Sequence, residues 1–272
     1  MSTAQTERLI RFQHPEKTLG YLGGLDDERL ASLFGLDAPS YRRLRREHAD
    51  QARSAARELL EEPGFAEKVD RLPFAPGQRI VALGESTTAD LLSWFEILRH
   101  LLEIRRPQDG LSLVNLAVSG QTTTQALTAL PALAFRDPDW VLCMLGANDA
   151  QRLGVDGPTL VSLPETERNL RTLRDLAARG TPARWVWLTP APADEARVVA
   201  YPHFQRARLH WKNTDLDAVA RTLTGLEDVT VDTAGALAER PGTDPHLEDG
   251  LHLSLAGQRA LAAALVGVLA AN

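Results

Sequence analysis

The chain has 272 residues, 44% of them hydrophobic and 24% charged, with a formal net charge of −6. That length supports a substantial buried core, as one large domain or as one domain with an extension. The acidic balance argues against nucleic-acid or anionic-membrane binding, and a single cysteine, Cys143, excludes an intrachain disulfide.

The N-terminal MSTAQTERLIRFQ lacks the apolar core of a signal peptide. No run of about 18 apolar residues exists to span a bilayer. A cytoplasmic protein without a membrane span is the expectation.

Residues 1–75 carry no strand pattern. Asp26 or Asp27 is placed to open a short helix through Leu30, Leu33 and Phe34. Pro39-Ser40 begins a longer helix with Ser40 as its N-cap. Tyr41, Leu44, His48, Ala52, Ala55 and Leu59 then follow spacings of three and four, which makes one helical face. Arg42, Arg43, Arg45 and Arg46 near its start, and Glu58, Glu61 and Glu62 near its end, oppose the helix dipole. Each such placement costs about 0.3–1 kcal/mol, so packing must hold this helix. Pro63-Gly64 ends it, and Pro73, Pro76 and Gly77 mark a boundary. Residues 1–75 therefore read as an N-terminal helical extension and 76–272 as the main domain.

From Arg79 onward strands and helices alternate. The apolar run Ile80-Val81-Ala82-Leu83 reads as a buried parallel strand, broken by Gly84. Apolar residues at Leu91, Leu92, Phe95, Leu98 and Leu101 predict the helix that follows. Further strands are expected at 111–116, 139–145, 184–188 and 229–231. Helices are expected at 122–133, with Pro131 near its end, at 165–178, with Leu170, Leu173 and Leu176 toward the core, at 215–223 and at 254–269. Repeated βα units imply a mostly parallel sheet covered by helices on both faces. Cys143 falls inside the third strand and is expected to be an inert core thiol.

Four places at strand ends, or before the last helix, carry chemically useful groups: Gly84-Glu85-Ser86, Ser119-Gly120, Gly146-Ala147-Asn148-Asp149 and Asp249-Gly250-Leu251-His252. In open α/β sheets ligands bind at the carboxyl ends of the strands. Taken singly, Ser86 reads as a helix cap, Gly120 as a turn glycine and Asn148 as a loop residue bonding its own backbone. Together they supply the parts of acyl transfer. Ser86 is a nucleophile that needs a base, His252 a base that needs an orienting acceptor, and Asp249 lies three residues upstream of it. The N–H groups of Ser86 and Gly120 and the Asn148 amide suit an oxyanion hole.

In order and spacing these blocks resemble the SGNH hydrolases, the GDSL-type lipases and esterases, over roughly residues 79–272. Ser86, Gly120, Asn148 and His252 match the four family letters. Glu85 departs from the family's usual aspartate. The resemblance implies a flavodoxin-like three-layer α/β/α sandwich with a parallel five-stranded sheet. It also implies a serine esterase that hydrolyses carboxylic esters or thioesters without metal or cofactor. Ser86 would carry the acyl group, His252 would act as base and then acid, and Asp249 would orient it. Ser86, Gly120 and Asn148 would form the oxyanion hole. The partner is then a small ester or other acylated molecule, and a homo-oligomer is left open. The alternatives are an acyltransferase using the same acyl-enzyme, or a binding protein that kept the fold.

Other chemistries find less support. Asp244, His246, Glu248, Asp249 and His252 crowd into nine residues but lack the helical H-E-x-x-H spacing of a zinc site. No Walker A sequence, no G-x-G-x-x-G after a strand and no G-x-S-x-G elbow is present. Two connections are candidates for substrate selection. One is 151–164; the other, 191–213, holds Tyr201, His203, Phe204, His210 and Trp211, either as an acyl pocket wall or as an ordinary lid.

Overall fold

A computed structural model describes residues 3–19, 22–180, 182–239 and 242–271. The N-terminal part contains α1 (Thr3–Phe12), α2 (Pro15–Thr18), α3 (Asp27–Leu33), α4 (Ala38–Leu60) and α5 (Phe65–Asp70). Then come β1 (Arg79–Gly84), α6 (Ser86–Ala89), α7 (Trp94–Arg105), β2 (Ser112–Asn115), α8 (Thr123–Ala126), α9 (Leu130–Arg136) and β3 (Trp140–Met144). They are followed by β4 (Arg152–Leu153), α10 (Leu163–Gly180), β5 (Arg184–Leu188), α11 (Glu195–Ala200), α12 (Pro202–Ala207) and β6 (Leu209–His210). The chain closes with α13 (Asn213–Thr224), β7 (Val229–Val231), α14 (Thr233–Ala238) and α15 (Leu255–Ala271).

The main sheet has five parallel strands in the order β2-β1-β3-β5-β7. Counted along the sheet's own strands this is 2-1-3-4-5, the flavodoxin-like order, with a switch point beside β1. Alternation along the strands separates two apolar layers. Ile80, Ala82, Leu142, Met144, Val186 and Leu188 face the helices α4, α5, α7 and α15. Val81, Leu83, Val141, Cys143, Trp185 and Trp187 face α8, α10 and α13. The three-layer sandwich expected from the βα alternation is thus present. Cys143 is fully buried, and that burial pushes its thiol well above its ordinary pKa.

The N-terminal helices pack against this frame through two apolar cores. Ala52, Ala55, Leu59, Phe65 and Val69 of α4 and α5 share one core with the sheet, α7 and α15. Ile10, Leu30, Phe34, Tyr41 and Leu44 form a second core among α1, α3 and α4. Tyr41, Leu44, Ala52, Ala55 and Leu59 are all buried, as their spacing predicts. Three of the four arginines that oppose the α4 dipole find carboxylates instead: Arg42 pairs with Asp27, Arg43 with Glu47 and Arg45 with Glu16.

Several local expectations are corrected. Asp37, not Ser40, caps α4: its carboxylate accepts the Ser40 N–H at 2.7 Å, and Pro39 sits in the first turn. The helix expected after Ser86 is two helices, because Asp90 leaves helical geometry at φ −48°, ψ 131° and Ser93 caps α7 afresh. Pro131 opens α9 rather than ending a helix, since its missing N–H is harmless in a first turn. Leu176 is 41% exposed, and the buried stripe of α10 runs Leu170, Leu173, Ala177. Leu176 lies one residue, or about 100°, off that stripe. Helices α1, α2, α5, α11, α12 and α14 and the antiparallel pair β4–β6 were not legible, being too short or too polar to show a period.

No helix among the described residues is long and apolar enough to cross a membrane. The stripe on α10 gives a paired stability test by urea unfolding. Leu173→Ala should cost about 2–5 kcal/mol, the usual range for a truncated core leucine. Leu176→Ala should stay within about 0.5 kcal/mol. Equal losses would contradict the stripe.

Candidate active site

The Ser86 turn begins with a steric constraint. A Cβ on Gly84 would lie 2.5 Å from Thr88 Oγ1 and 2.9 Å from the Met144 carbonyl oxygen, so only glycine lets β1 end this close to β3. Glu85 is extended at φ −105°, ψ −153°, and α6 starts at Ser86. Thr87, Thr88 and Ala89 are buried, whereas Ser86 keeps partial exposure. A one-turn helix has little macrodipole, so favourable polarity at Ser86 comes from local N–H groups rather than from a long helix.

Gly120 and Asn148 reach the same rim from the strands on either side. Val118 N–H donates to Gly84 O at 3.0 Å, which ties the segment after β2 to the end of β1. Asn115 Nδ2 donates to Thr88 O at 2.7 Å. Asn148 is buried, and its Nδ2 donates to Gln121 O at 3.1 Å, next to Gly120. Behind it, the Trp211 indole donates to Ala147 O at 2.9 Å. Trp211 and Phe204 are buried in a small core with Ala150, Val198 and Leu216. They therefore support the Asn148 loop from behind rather than walling a pocket. Tyr201 remains partly exposed, with its ring against Phe204.

Asp249 and His252 form a closed unit. Gly250 adopts φ 70°, and a Cβ there would lie 2.5 Å from Asp194 O, so this turn too requires glycine. Asp249 is fully buried. Its Oδ1 accepts the N–H groups of Leu251 and His252 at 2.9 and 2.8 Å, and its Oδ2 lies 2.7 Å from His252 Nδ1. Burial alone would raise the Asp249 pKa, but the His252 hydrogen bond and charge and the two backbone N–H groups hold it well below the usual carboxylate range. It is therefore a charged acceptor that orients the ring. Of the other acidic and histidine side chains of this segment, Asp244 is engaged with Arg197 at 2.7 Å and His246 with Pro192 O at 2.8 Å, whereas Glu248 is exposed. Among the described residues no group of three His, Cys, Asp or Glu side chains is arranged to hold a metal ion.

Residues not singled out in the sequence bring these parts together. Asp90, fully buried, accepts both arms of Arg11 at 2.6 Å, the Leu92 N–H at 2.9 Å and Gln258 Nε2 at 3.2 Å. Gln258 on α15 also donates to Thr87 O and accepts the Trp94 N–H, each at 2.9 Å. Arg11 reaches Leu253 O at 3.0 Å. This network binds the segment after His252 to the turn that carries Ser86. Phe12 makes the second link: its ring lies 4.7 Å from the His252 ring, and its carbonyl accepts the Ser119 hydroxyl. Gln258 had a readable signal, a polar residue that with Arg259 interrupts an otherwise apolar helix. Arg8, Arg11, Phe12 and Asp90 had none, since single charged or aromatic residues carry no address.

Glu85 and Asp149 lie beneath the rim. Asp149 accepts the Thr123 N–H at 2.9 Å and the hydroxyls of Thr123 and Thr166. Burial raises its pKa and these bonds only partly offset that. Glu85 is more extreme. Burial, then the nearby Asp149 charge, pushes its carboxyl well above the usual range. The Gly146 and Ala147 N–H groups oppose this, yet they fall short of full hydrogen-bond geometry and leave both oxygens unpartnered. A carboxyl raised on folding binds its proton more tightly in the native state, so it removes stability as pH climbs above its ordinary 4.5. Glu85→Gln cannot ionise. Its melting temperature should gain on the wild type between pH 4 and pH 8; a pH-independent difference would refute the buried, protonated acid.

The model of the GDSL-like lipase/acylhydrolase family matches residues 82–260, a span that holds Ser86, Gly120, Asn148, Asp249 and His252. No curated protein matches the chain. Among solved structures it is similar to an acetylxylan esterase from Geobacillus stearothermophilus, at 22% identity and a TM-score of 0.56, over 72% of this chain and 95% of that one. It is similar to an α/β hydrolase from the metagenome of Lake Arreo, Spain, at 23% identity and a TM-score of 0.56, over 72% and 96%. A lipase/acylhydrolase from Enterococcus faecalis aligns at 24% identity and a TM-score of 0.55, over 71% and 96%. With the family's model covering most of the chain and the sheet order matching its fold, this chain belongs to the GDSL-like lipase/acylhydrolase family, the SGNH-type serine hydrolases.

Proposed function

We propose that the protein is a carboxylic ester hydrolase that works through an acyl-enzyme on Ser86. The observation that carries this reading is the fully buried Asp249 carboxylate held 2.7 Å from His252 Nδ1, in a chain whose Ser86 sits at the turn after β1. With Nδ1 engaged, Nε2 is the ring nitrogen left to act as base.

Ser86 Oγ attacks the ester carbonyl carbon as His252 Nε2 takes the hydroxyl proton. Negative charge then develops on the former carbonyl oxygen. The Ser86 and Gly120 N–H groups and the second hydrogen of Asn148 Nδ2 are its donors; the first hydrogen is committed to Gln121 O. His252 returns the proton to the departing alkoxide, and the alcohol leaves. Water then attacks the acyl-enzyme, again losing its proton to His252, and the collapse frees the acid and Ser86. Asp249 stays ionised throughout and stabilises the imidazolium that forms at each step. Glu85 takes no part in proton transfer; its buried position under the Gly146-Ala147 backbone supports the Asn148 loop.

Turnover of p-nitrophenyl acetate tests the assignment. Ser86→Ala should reduce kcat by at least about 10³-fold with the fold intact. Asn148→Ala should cost roughly 10²–10³ in kcat, or about 2.7–4 kcal/mol, with little change in KM. Wild-type turnover by Ser86→Ala would sink the proposal.

A further inference from the structure

Helix α1 lies outside the family match, which begins at residue 82, yet it places a cation on the Asp249–His252 pair. Arg8 Nη2 donates to Asp249 Oδ2, the same oxygen that takes His252 Nδ1. It lies 3.5 Å from His252 Nδ1 itself. The guanidinium carbon sits 5.6 Å from the Phe12 ring centroid and 5.8 Å from that of Tyr201, within cation–π range of both.

Nothing about α1 resembles a loose cover. Arg11 is clamped on buried Asp90, and Leu91 N–H donates to Arg11 O at 3.1 Å. The Ser119 hydroxyl donates to Phe12 O, and Lys17 Nζ on the following α2 donates to Ala117 O at 3.0 Å. Arg8 is thereby presented to the pair from a segment bonded to the turn after α6 and to Ser119 beside Gly120.

We infer that Arg8 is a positioning residue that keeps the His252 imidazole in its neutral, base-competent form as pH falls. Its guanidinium shares the Asp249 charge and stands as a like charge beside the ring. A cation within about 4–6 Å disfavours a second positive charge. The remaining charged neighbours do not replace it. On the His252 segment, Asp249 is shared with Arg8, Glu248 is exposed with its carboxylate 4.0 Å from Arg8 Nη1, and the His246 ring is bonded to Pro192 O. On α1, Arg11 is neutralised by Asp90, and Glu7 lines, with His48 of α4, the same cavity as Arg8 and Glu248. From α11, Arg197 is paired with Asp194 and Asp244, and at its end the Tyr201 ring packs on Arg8. The inference rests on the reading of His252 as the base.

The test is the pH profile of kcat/KM for p-nitrophenyl acetate in the full chain, with Arg8→Gln, Arg8→Met and Arg8→Lys. Removing the charge should move the acid limb up by about one pH unit, roughly a tenfold lower kcat/KM on its acid side. Arg8→Lys should keep the wild-type limb. A limb unmoved in both neutral variants, whatever happens to the plateau, overturns the inference, as does an equal shift in Arg8→Lys. Because Arg8 is 31% exposed, at least one neutral variant should fold. NMR titration of the His252 ring in the Ser86→Ala background, with and without Arg8→Gln, reads the same shift without turnover. That titration separates the two failures: an active Ser86→Ala refutes the esterase reading, whereas an unshifted ring refutes the role of Arg8.

Discussion

Asp90 is a carboxylate with no access to water, and such a group is retained only with full hydrogen bonding and a counter-charge. Here those partners come from three distant parts of the chain: Arg11 from the N-terminal helix, Leu92 from its own turn and Gln258 from the last helix. Satisfying one buried group therefore draws together the start of the chain, the turn after β1 and the segment that follows His252. Removing a single partner would strand the rest, which makes this network cooperative rather than a sum of separate bonds.

That cooperation explains how a sheet rim becomes a site. Parallel pairing of β2, β1 and β3 brings Gly120, Ser86 and Asn148 to one edge with no further help, because each follows the carboxyl end of a neighbouring strand. His252 has no such guarantee. It precedes α15 and follows a long excursion through α14, so its position depends on Gln258, Arg11 and Phe12. The N-terminal segment is thus structural to the site as well as to the core, where α4 and α5 complete one apolar face of the sheet.

Two carboxyl groups near Ser86 illustrate how environment separates like residues. Asp249 and Glu85 are both buried, yet they are pushed in opposite directions. Asp249 has a histidine, two backbone N–H groups and an arginine around it; Glu85 has a second carboxylate for a neighbour and no bonded donor. One is held as an anion against the His252 ring. The other is pushed well above the usual carboxylate range by its burial and by the neighbouring Asp149 charge.

The sequence by itself determined the sheet, the strand-end positions of Ser86, Gly120 and Asn148, and the local Asp249–His252 pair. All of these rest on short-range rules: apolar runs for buried strands, glycine breaks at their ends, and a three-residue spacing within one turn. Residues 184–188 and 229–231 even match their strands at both ends. Smaller features already escaped those rules. The break at Asp90 and the start of α9 at Leu130 were hidden because helix-like spacing continues across both. What only the tertiary structure decided was everything that depends on long-range pairing: Arg8 on Asp249, Arg11 and Gln258 on Asp90, Phe12 on His252. A charge or an amide specifies the kind of partner it needs but not where along 272 residues that partner lies, and only folding brings the two within hydrogen-bond distance.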